Sequence, residues 1–244
     1  MGDPTTDTDL RRRVAELERQ VQMQAQFIAL ASHELRTPAA VIHGVAATLA
    51  ARIGALAPER VEQLTEALAE HTERMSRLLD ELLDLSRLDA NMIEIDPRPL
   101  GVRERAHEIV RAVAGDAAPA IAIDVPPELA PAVDVIAFDR IVSNLVANAL
   151  NYGEAPISIT AAQTDRHFRL TVEDRGAGVS PEFVPRLFER FTREERPAPR
   201  RGSGLGLSIA QAYAHAHGGH VFYEDATPRG ARFQLVLPSR PLSG

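Results

Sequence analysis

The sequence contains no cysteine among its 244 residues. This absence excludes disulfide bonds, thiolate metal sites and thiol chemistry, and it is compatible with a reducing compartment. The formal net charge is −7 and no long block of like charge occurs, so nothing indicates a nucleic-acid partner. The apolar and charged fractions are those of an ordinary soluble globular protein.

Long apolar runs and targeting signals are also scarce. The longest weakly polar run, Pro38–Ala51, contains His43 and Gly44 and falls short of a membrane span. The N-terminus lacks the charged-then-apolar order of a signal peptide. We therefore expect no membrane span in this chain and a cytoplasmic location, either for a complete protein or for the soluble part of a larger or membrane-tethered one.

The first stretch of the chain carries a heptad pattern. Residues 1–9 are polar and are expected to form a disordered tail. From Leu10 to Leu35 apolar residues recur at alternating steps of four and three, broken only by Gln24. This spacing is typical of a coiled coil that leads into a helical bundle.

A second helix is predicted after a break at Gly54 and Pro58, with a heptad pattern from Val61 to Leu85. His71 occupies a core-like position, where a partly buried histidine with a polar partner is expected. Residues 96–99, Asp-Pro-Arg-Pro, cannot continue a helix and mark a domain boundary. Residues 10–95 thus form a helical hairpin whose two apolar stripes cannot close a core alone, so we expect a homodimeric four-helix bundle.

Residues 98–239 are predicted to form an α+β domain with a mixed or largely antiparallel sheet and helices on one face. Helical periodicity covers Val102–Val113, Phe138–Leu150 and Gly204–His217. Strand patterns cover Ala120–Val125, Ile157–Thr160, Phe168–Asp174, His220–Asp225 and Ala231–Pro238. The Arg-rich segment Arg190–Ser203 has few apolar residues and is predicted to be a mobile loop.

His33 and Glu34 lie side by side in the amphipathic segment Phe27–Ile42. Pro38 interrupts this segment, so a kink that exposes the His33 ring is expected. Neutral imidazole is a nucleophile, and the adjacent carboxylate could take the other ring proton. The alternative is a surface histidine with an incidental glutamate neighbour.

Asn144 and Asn148 are four residues apart and therefore share one helix face. Their amide oxygens are hard ligands suited to Mg²⁺; the alternative is internal hydrogen bonding. Asp174 ends a strand and is followed by Gly176 and Gly178, which would let the backbone approach a flat ligand, although acidic glycine turns are common.

Two further segments complete the pattern of the second domain. In Leu187–Phe191 two phenylalanines are spaced as packing anchors, for which plain core is an equal explanation. In Gly202–Ala210 three glycines open a helix, whose free N–H groups and positive dipole end suit phosphates. The spacing fits neither a dinucleotide fingerprint nor a Walker loop.

Taken in order, these segments resemble the sensor histidine kinases of bacterial two-component systems. The sequence SHELRTP at residues 32–38 is similar to their H-box, and the segments at 144–153, 174–180, 187–191 and 202–210 are similar to their N, G1, F and G2 boxes. The resemblance implies a dimerisation and phosphotransfer hairpin, followed by a Bergerat-type ATP-binding sandwich. It covers residues 10–238.

The resemblance also implies roles for individual residues. His33 would be phosphorylated, Glu34 would take its proton, and Thr37 would position a water for dephosphorylation of a response regulator. Asn148, assisted by Asn144, would bind Mg²⁺. The positions implied to surround ATP are Asn144, Asn148, Asn151, Tyr152, Asp174, Gly176, Gly178, Arg193, Gly202, Gly204, Leu205 and Gly206.

Asn151 departs from the family, which usually has Lys or Arg there, so a phosphate contact is in doubt unless arginines such as Arg193, Arg200 or Arg201 supply it. Three alternatives remain: an ATP-driven clamp of the wider ATPase clan, a nucleotide-binding dimeric scaffold, and a phosphatase-dominant signalling protein. The cluster His215, His217 and His220 suggests metal binding, but His217 followed by two glycines is better explained as a helix end.

Overall fold

The computed structural model describes residues 4–89, 93–194 and 203–239. It divides into two compact units that meet at Leu82 and Leu83, whereas the sequence predicts a domain boundary at 95–98. The physical reason is that Asp84 and Leu85, only 2% and 1% exposed, are buried in the second unit. The end of the second helix therefore belongs to the core of that unit.

The first unit is a pair of long helices. Helix α1 spans Pro4–Arg52, a short 3₁₀ turn follows at Ile53–Ala55, and helix α2 spans Pro58–Asp89. Residues 4–9 are helical and do not form the disordered tail that their polarity predicts.

The break between the two helices is confirmed at the position that Gly54 and Pro58 predict. Helix α1 continues through Pro38, which is buried. The run Pro38–Ala51, too short to span a membrane by itself, lies inside a longer segment, Ala31–Ala55. That segment is long and apolar enough to cross a membrane by length and composition alone, and 11% of its apolar 18-residue window is buried.

The second unit is a mixed α+β domain, as the sequence predicts. Its helices are α3 (Val102–Ala114), α4 (Val135–Tyr152) and α5 (Gly206–Ala216). Its strands are β1 (Arg98–Pro99), β2 (Ile121–Asp124), β3 (Ala132–Val133), β4 (Ile157–Gln163), β5 (His167–Glu173), β6 (His220–Asp225) and β7 (Ala231–Pro238). The main sheet has the order β2-β4-β5-β7-β6.

Within this sheet, β2 pairs with β4 in parallel and the other neighbours pair antiparallel. Strand β5 alternates strictly, so Phe168, Leu170 and Val172 point into the core at 0–1% exposure. Burying a side chain of this size stabilises the domain by about 1.5–3 kcal/mol. Strands β1 and β3 form a separate antiparallel pair; each is too short to give a sequence pattern.

The start of α4 is fixed by Asp134. Its Oδ1 accepts a hydrogen bond from Ala137 N at 2.8 Å, and its Oδ2 accepts one from Asp96 N at 3.0 Å. The backbone N–H of Asp134 donates to His217 Nε2, 3.1 Å away, at the end of α5. These bonds hold the first turn of α4 against the last turn of α5, and both helices carry candidate site residues.

Candidate functional site

The candidate phosphoacceptor lies on α1. The side chain of His33 is 74% exposed, and its Nδ1 lies 3.8 Å from Glu34 Oε1. That separation exceeds a hydrogen bond but places the carboxylate beside the ring nitrogen. Thr37, one turn further along, is exposed. An exposed imidazole beside a carboxylate can act as a nucleophile whose second ring proton has an acceptor.

Sequence reasoning missed a third member of this group. Arg74 on α2 donates from Nη2 to Glu34 Oε2 at 3.1 Å. His71, which the sequence places at a core-like position, lies one turn before Arg74 and is half-buried. The ring nitrogen Nδ1 of His71 is buried and has no hydrogen-bond partner within the described part of the chain.

The two asparagines of α4 are both half-buried, but they differ in their contacts. Asn144 donates from Nδ2 to the carbonyl oxygen of Arg140 at 2.7 Å, as the internal-bonding alternative predicts. A Cβ added to Gly206 would lie 2.6 Å from Asn144 Oδ1, so the first residue of α5 touches this amide. Asn148 is half-buried and makes no side-chain hydrogen bond to another of the described residues (4–89, 93–194 and 203–239), and an amide oxygen suits a hard cation such as Mg²⁺.

Asp174 follows β5 and is 2% exposed. Its Oδ1 accepts hydrogen bonds from the N–H groups of Gly176 at 2.7 Å and Ala231 at 3.4 Å. Burial raises the pKa of this carboxyl group, and the backbone donors partly oppose that shift. A buried carboxylate that is fixed by backbone donors can accept a hydrogen bond from one specific donor group of a ligand.

Glycines surround this carboxylate. A Cβ added to Gly153, just after α4, would lie 2.4 Å from Asp174 Cγ, and one added to Gly176 would lie 2.9 Å from Gly153 Cα. The end of α4 therefore packs directly on the Asp174 loop, with Tyr152 half-buried and Asn151 exposed at the last turn. From Asn144 to Gly153 the helix rises by about 14 Å, so an elongated ligand could span both ends.

The loop after Asp174 is anchored by residues that sequence reasoning missed. Tyr223 on β6 accepts a hydrogen bond from Val179 N at 3.0 Å and donates to Asp225 Oδ1 at 2.6 Å. Gly178 has a positive φ of 73°. Gly230 has φ 118°, and a Cβ there would lie 1.9 Å from the Asp174 carbonyl oxygen. Its only sequence signal is a Thr-Pro-Arg-Gly turn.

A backbone contact closes the base of the Arg-rich loop. The N–H of Phe191 donates to the carbonyl oxygen of Gly204 at 2.9 Å. Gly204 has φ 76°, and a Cβ there would lie 2.9 Å from the Thr192 carbonyl oxygen, so only glycine fits. Leu205, next in the chain, is 2% exposed, and its N–H donates to Ser203 Oγ at 3.2 Å. These contacts present the first turn of α5.

Part of the predicted site lies outside the described residues, namely Gly202, Arg200 and Arg201. Arg193 is described and exposed. The structure brings together the Asp174 loop, α4 and the first turn of α5, and these carry the Asn, Asp and Gly residues that the sequence singles out.

The histidines near the end of α5 have structural explanations. His217 is 7% exposed and accepts a hydrogen bond through Nε2; its pKa is lowered, chiefly by burial. His215 Nε2 lies 3.0 Å from His220 Nδ1. In the part of the chain that the structure describes, no group of three or more metal-ligating side chains occurs.

Two domain families match the chain. Residues 23–91 match the His Kinase A (phospho-acceptor) domain, and residues 133–241 match the histidine kinase-, DNA gyrase B- and HSP90-like ATPase domain. The signal transduction histidine-protein kinase AfsQ2 of Streptomyces coelicolor is 31% identical over 243 residues, which are 96% of this chain and 45% of that protein. The sensor histidine kinase MtrB of Mycobacterium tuberculosis is 33% identical over 236 residues, 94% of this chain and 41% of that protein.

The chain thus spans less than half the length of these relatives. Among solved structures, the Acinetobacter baumannii histidine kinase AdeS has a TM-score of 0.65 at 22% identity, covering 85% of this chain and 98% of that one, and so shares the fold. Full-length ShkA, solved in complex with AMPPNP, has a TM-score of 0.63 at 26% identity, covering 88% of this chain and 46% of that one.

Proposed function

Because the chain belongs to the sensor histidine kinases, with their phosphoacceptor and ATPase domains, we propose that it phosphorylates itself on His33 with ATP. The phosphoryl group then passes to an aspartate in the receiver domain of a response regulator. The observation that carries the proposal is the exposed His33 ring, whose Nδ1 lies beside the Glu34 carboxylate at 3.8 Å.

In the first step the Nε2 lone pair of His33 attacks the γ-phosphorus. The N–P bond forms as the bond from phosphorus to the β,γ-bridging oxygen breaks, and ADP leaves with that electron pair. Glu34 accepts the Nδ1 proton, so the ring does not retain a full positive charge. In the second step the carboxylate of the regulator attacks the same phosphorus, the N–P bond breaks with its electron pair returning to Nε2, and Glu34 returns the proton to Nδ1, so His33 leaves as neutral imidazole.

Nucleotide binding is assigned to the second unit. Asp174 would accept a hydrogen bond from the exocyclic amine of adenine, and Tyr152 would pack beside the base. Asn148, with Asn144 assisting, would hold Mg²⁺, which when bound neutralises triphosphate charge. The half-buried Asn148 amide, one turn from Asn144 on the same helix face, and the complex of the similar ShkA with AMPPNP support this assignment. Gly176, Gly178, Gly204, Leu205 and Gly206 would line the nucleotide, with Arg193 at its phosphate end.

A second activity, dephosphorylation of the regulator, is favoured by Thr37. It is exposed and follows Glu34 by three residues, so both lie on the His33 face of α1. In this reaction the Thr37 hydroxyl would position a water for attack on the phosphoaspartate. A phosphatase-dominant protein and a nucleotide-binding scaffold remain the alternatives to a kinase.

We further propose that residues 10–95 form the dimerisation and phosphotransfer hairpin, whose last turns from Leu83 onwards pack in the second unit, and that residues 98–239 form the ATPase domain. Leu79 on α2 is 44% exposed, as expected for a helix that meets a second hairpin in a homodimeric bundle. The apolar, little-buried segment Ala31–Ala55 carries His33 and belongs to the same hairpin. The same packing against a second hairpin would bury it. A cytoplasmic location would follow.

The test is incubation of the purified protein with γ-labelled ATP and Mg²⁺. We expect an acid-labile, base-stable label in the wild type, no label in His33→Gln, and a strongly reduced label in Asn148→Ala. His43→Gln, an exposed histidine on the same helix, is the matched control and should label like the wild type. Wild-type protein that binds nucleotide but acquires no label would contradict the kinase proposal, and phosphorylated regulator would then be offered as substrate.

A further inference from the structure

We propose that Arg74 is a positioning residue for phosphoryl transfer: it holds Glu34 by one carboxylate oxygen, so that the other faces His33. This inference rests on the proposed function of His33. Its basis is that the two oxygens of the Glu34 carboxylate face different partners. Oε2 of Glu34 accepts the Arg74 Nη2 hydrogen bond at 3.1 Å, while Oε1 lies 3.8 Å from His33 Nδ1.

The contact joins the two helices of the hairpin, because Glu34 lies on α1 and Arg74 on α2, 40 residues apart. Glu34 has several rotatable bonds and, without a partner, would sample many rotamers. A charge-assisted hydrogen bond from the opposite helix restricts that motion. The restricted carboxylate keeps Oε1 close to the ring nitrogen, which holds the proton on Nδ1 and leaves Nε2 as the nucleophile.

Stability alone does not account for this ion pair. The side chains of Glu34 and Arg74 are 23% and 28% exposed, and partly exposed pairs of this kind contribute little to folding. Removing the guanidinium should therefore leave the hairpin folded. The effect should appear in the reaction, where a small displacement of a proton acceptor is costly.

The experiment compares Arg74→Met and Arg74→Lys, each made in the whole 244-residue chain, with the wild type. Methionine keeps an unbranched apolar stem, and lysine keeps a positive donor. Arg77→Met is the matched control, because Arg77 is an exposed arginine one turn further along the same helix. We expect Arg74→Met to lower kcat for His33 labelling by about tenfold, with KM for ATP nearly unchanged. Arg74→Lys should recover part of the rate, and the control should match the wild type.

A double-mutant cycle separates positioning from direct contact with phosphate. Glu34→Ala and the double variant Glu34→Ala with Arg74→Met are measured beside the single variants. If Arg74 acts through Glu34, the double variant is no slower than Glu34→Ala. An equal further loss in the double variant would mean that Arg74 acts on the phosphoryl group itself, which overturns the proposal.

A second readout does not depend on ATP. The ring ¹⁵N chemical shifts of selectively labelled histidine report the tautomer of His33, assigned with His33→Gln. We expect the Nδ1–H form to dominate in the wild type and to lose population in Arg74→Met. Unchanged tautomers and unchanged kcat would overturn the role of Arg74 while leaving the kinase proposal intact. If the wild type acquires no label, but Arg74→Met still shifts the His33 tautomer as expected, only the proposed function is rejected.

Discussion

Replacing Tyr213 by Phe tests how the end of α2 is held in the second unit. The hydroxyl of Tyr213 on α5 donates to Asp84 Oδ1 at 2.8 Å, and Arg140 Nε on α4 lies 3.1 Å from Asp84 Oδ2. Asp84 is 2% exposed and Tyr213 is 3% exposed. Both carboxylate oxygens are therefore satisfied by groups from two different helices, out of contact with water.

The substitution removes one hydrogen bond and no packing volume, because the ring remains. A hydrogen bond to a charged group contributes about 1.5–3 kcal/mol, and the buried Asp84 oxygen left without its donor places the cost in the upper part of that range. Arg140 still neutralises the carboxylate, so the domain should remain folded. We expect the free energy of unfolding to fall by about 2–3 kcal/mol at pH 7.

The same contact predicts a difference at alkaline pH. Burial, followed by the hydrogen bond to Asp84, raises the pKa of Tyr213 from 10.0 to about 12. Since the folded pKa is raised, the unfolded state loses its proton first. The stabilisation is present below pH 10 and is lost as the pH rises towards 12. Tyr213→Phe lacks this component, so its disadvantage should shrink over that range.

The assay is urea unfolding followed by tyrosine fluorescence. The chain has no tryptophan, and its three tyrosines all lie in the second unit, at positions 152, 213 and 223, so the signal reports on that unit alone. Tyr223→Phe is the comparison variant. The hydroxyl of the half-buried Tyr223 bonds to Val179 N and to the exposed Asp225, and water can reach these partners more easily than it can reach Asp84, so the loss should be smaller. A Tyr213→Phe midpoint equal to that of the wild type at pH 7 would refute the assigned role of the Asp84 contact.

Three further predictions test other parts of the second unit. Burial lowers the pKa of His217 below 6.5, so the unfolded state binds the proton first and wild-type stability should fall as the pH drops through 6.5. His217→Gln should lose less stability over that range, and equal wild-type urea profiles at pH 7 and 5 would contradict this. Gly230→Ala would place a Cβ 1.9 Å from the Asp174 carbonyl oxygen, so we expect destabilisation by about 1–3 kcal/mol and loss of AMPPNP binding in calorimetry; full retention of both is the contrary result. Asn148→Ala should weaken AMPPNP binding about tenfold with Mg²⁺ but not with EDTA, and an equal loss in both buffers would exclude a metal role.

Local sequence patterns predict most of the elements because they are determined by short-range physics. Heptad spacing and the proline at position 58 place α2, and strict alternation from Phe168 to Val172 places β5. Residues 4–9 were harder to predict, since their polar composition argues for disorder, whereas the structure continues helix α1 through them. The β1–β3 pair is not predictable from its own residues, because two-residue strands have no periodicity.

The candidate site divides in the same way. His33, Asn148 and Asp174 stand in short segments whose residue types reveal their chemistry, so sequence alone singles them out. The groups that hold such residues come from far along the chain: Arg74 reaches Glu34 across 40 residues. Nothing local distinguishes that arginine from its exposed neighbours on α2, and only the pairing of the helices shows which of them meets the carboxylate.

This division has a consequence for how substitutions act. A change in an exposed motif residue such as His33 removes a reacting group, so it should abolish activity without altering stability. A change in a distant support, such as Tyr223 beneath the Asp174 loop, leaves every motif residue in place and shifts its position or its stability instead. A variant with an altered support and intact motif residues should therefore show an intermediate reaction rate. That rate is interpretable only beside the free energy of unfolding of the same variant.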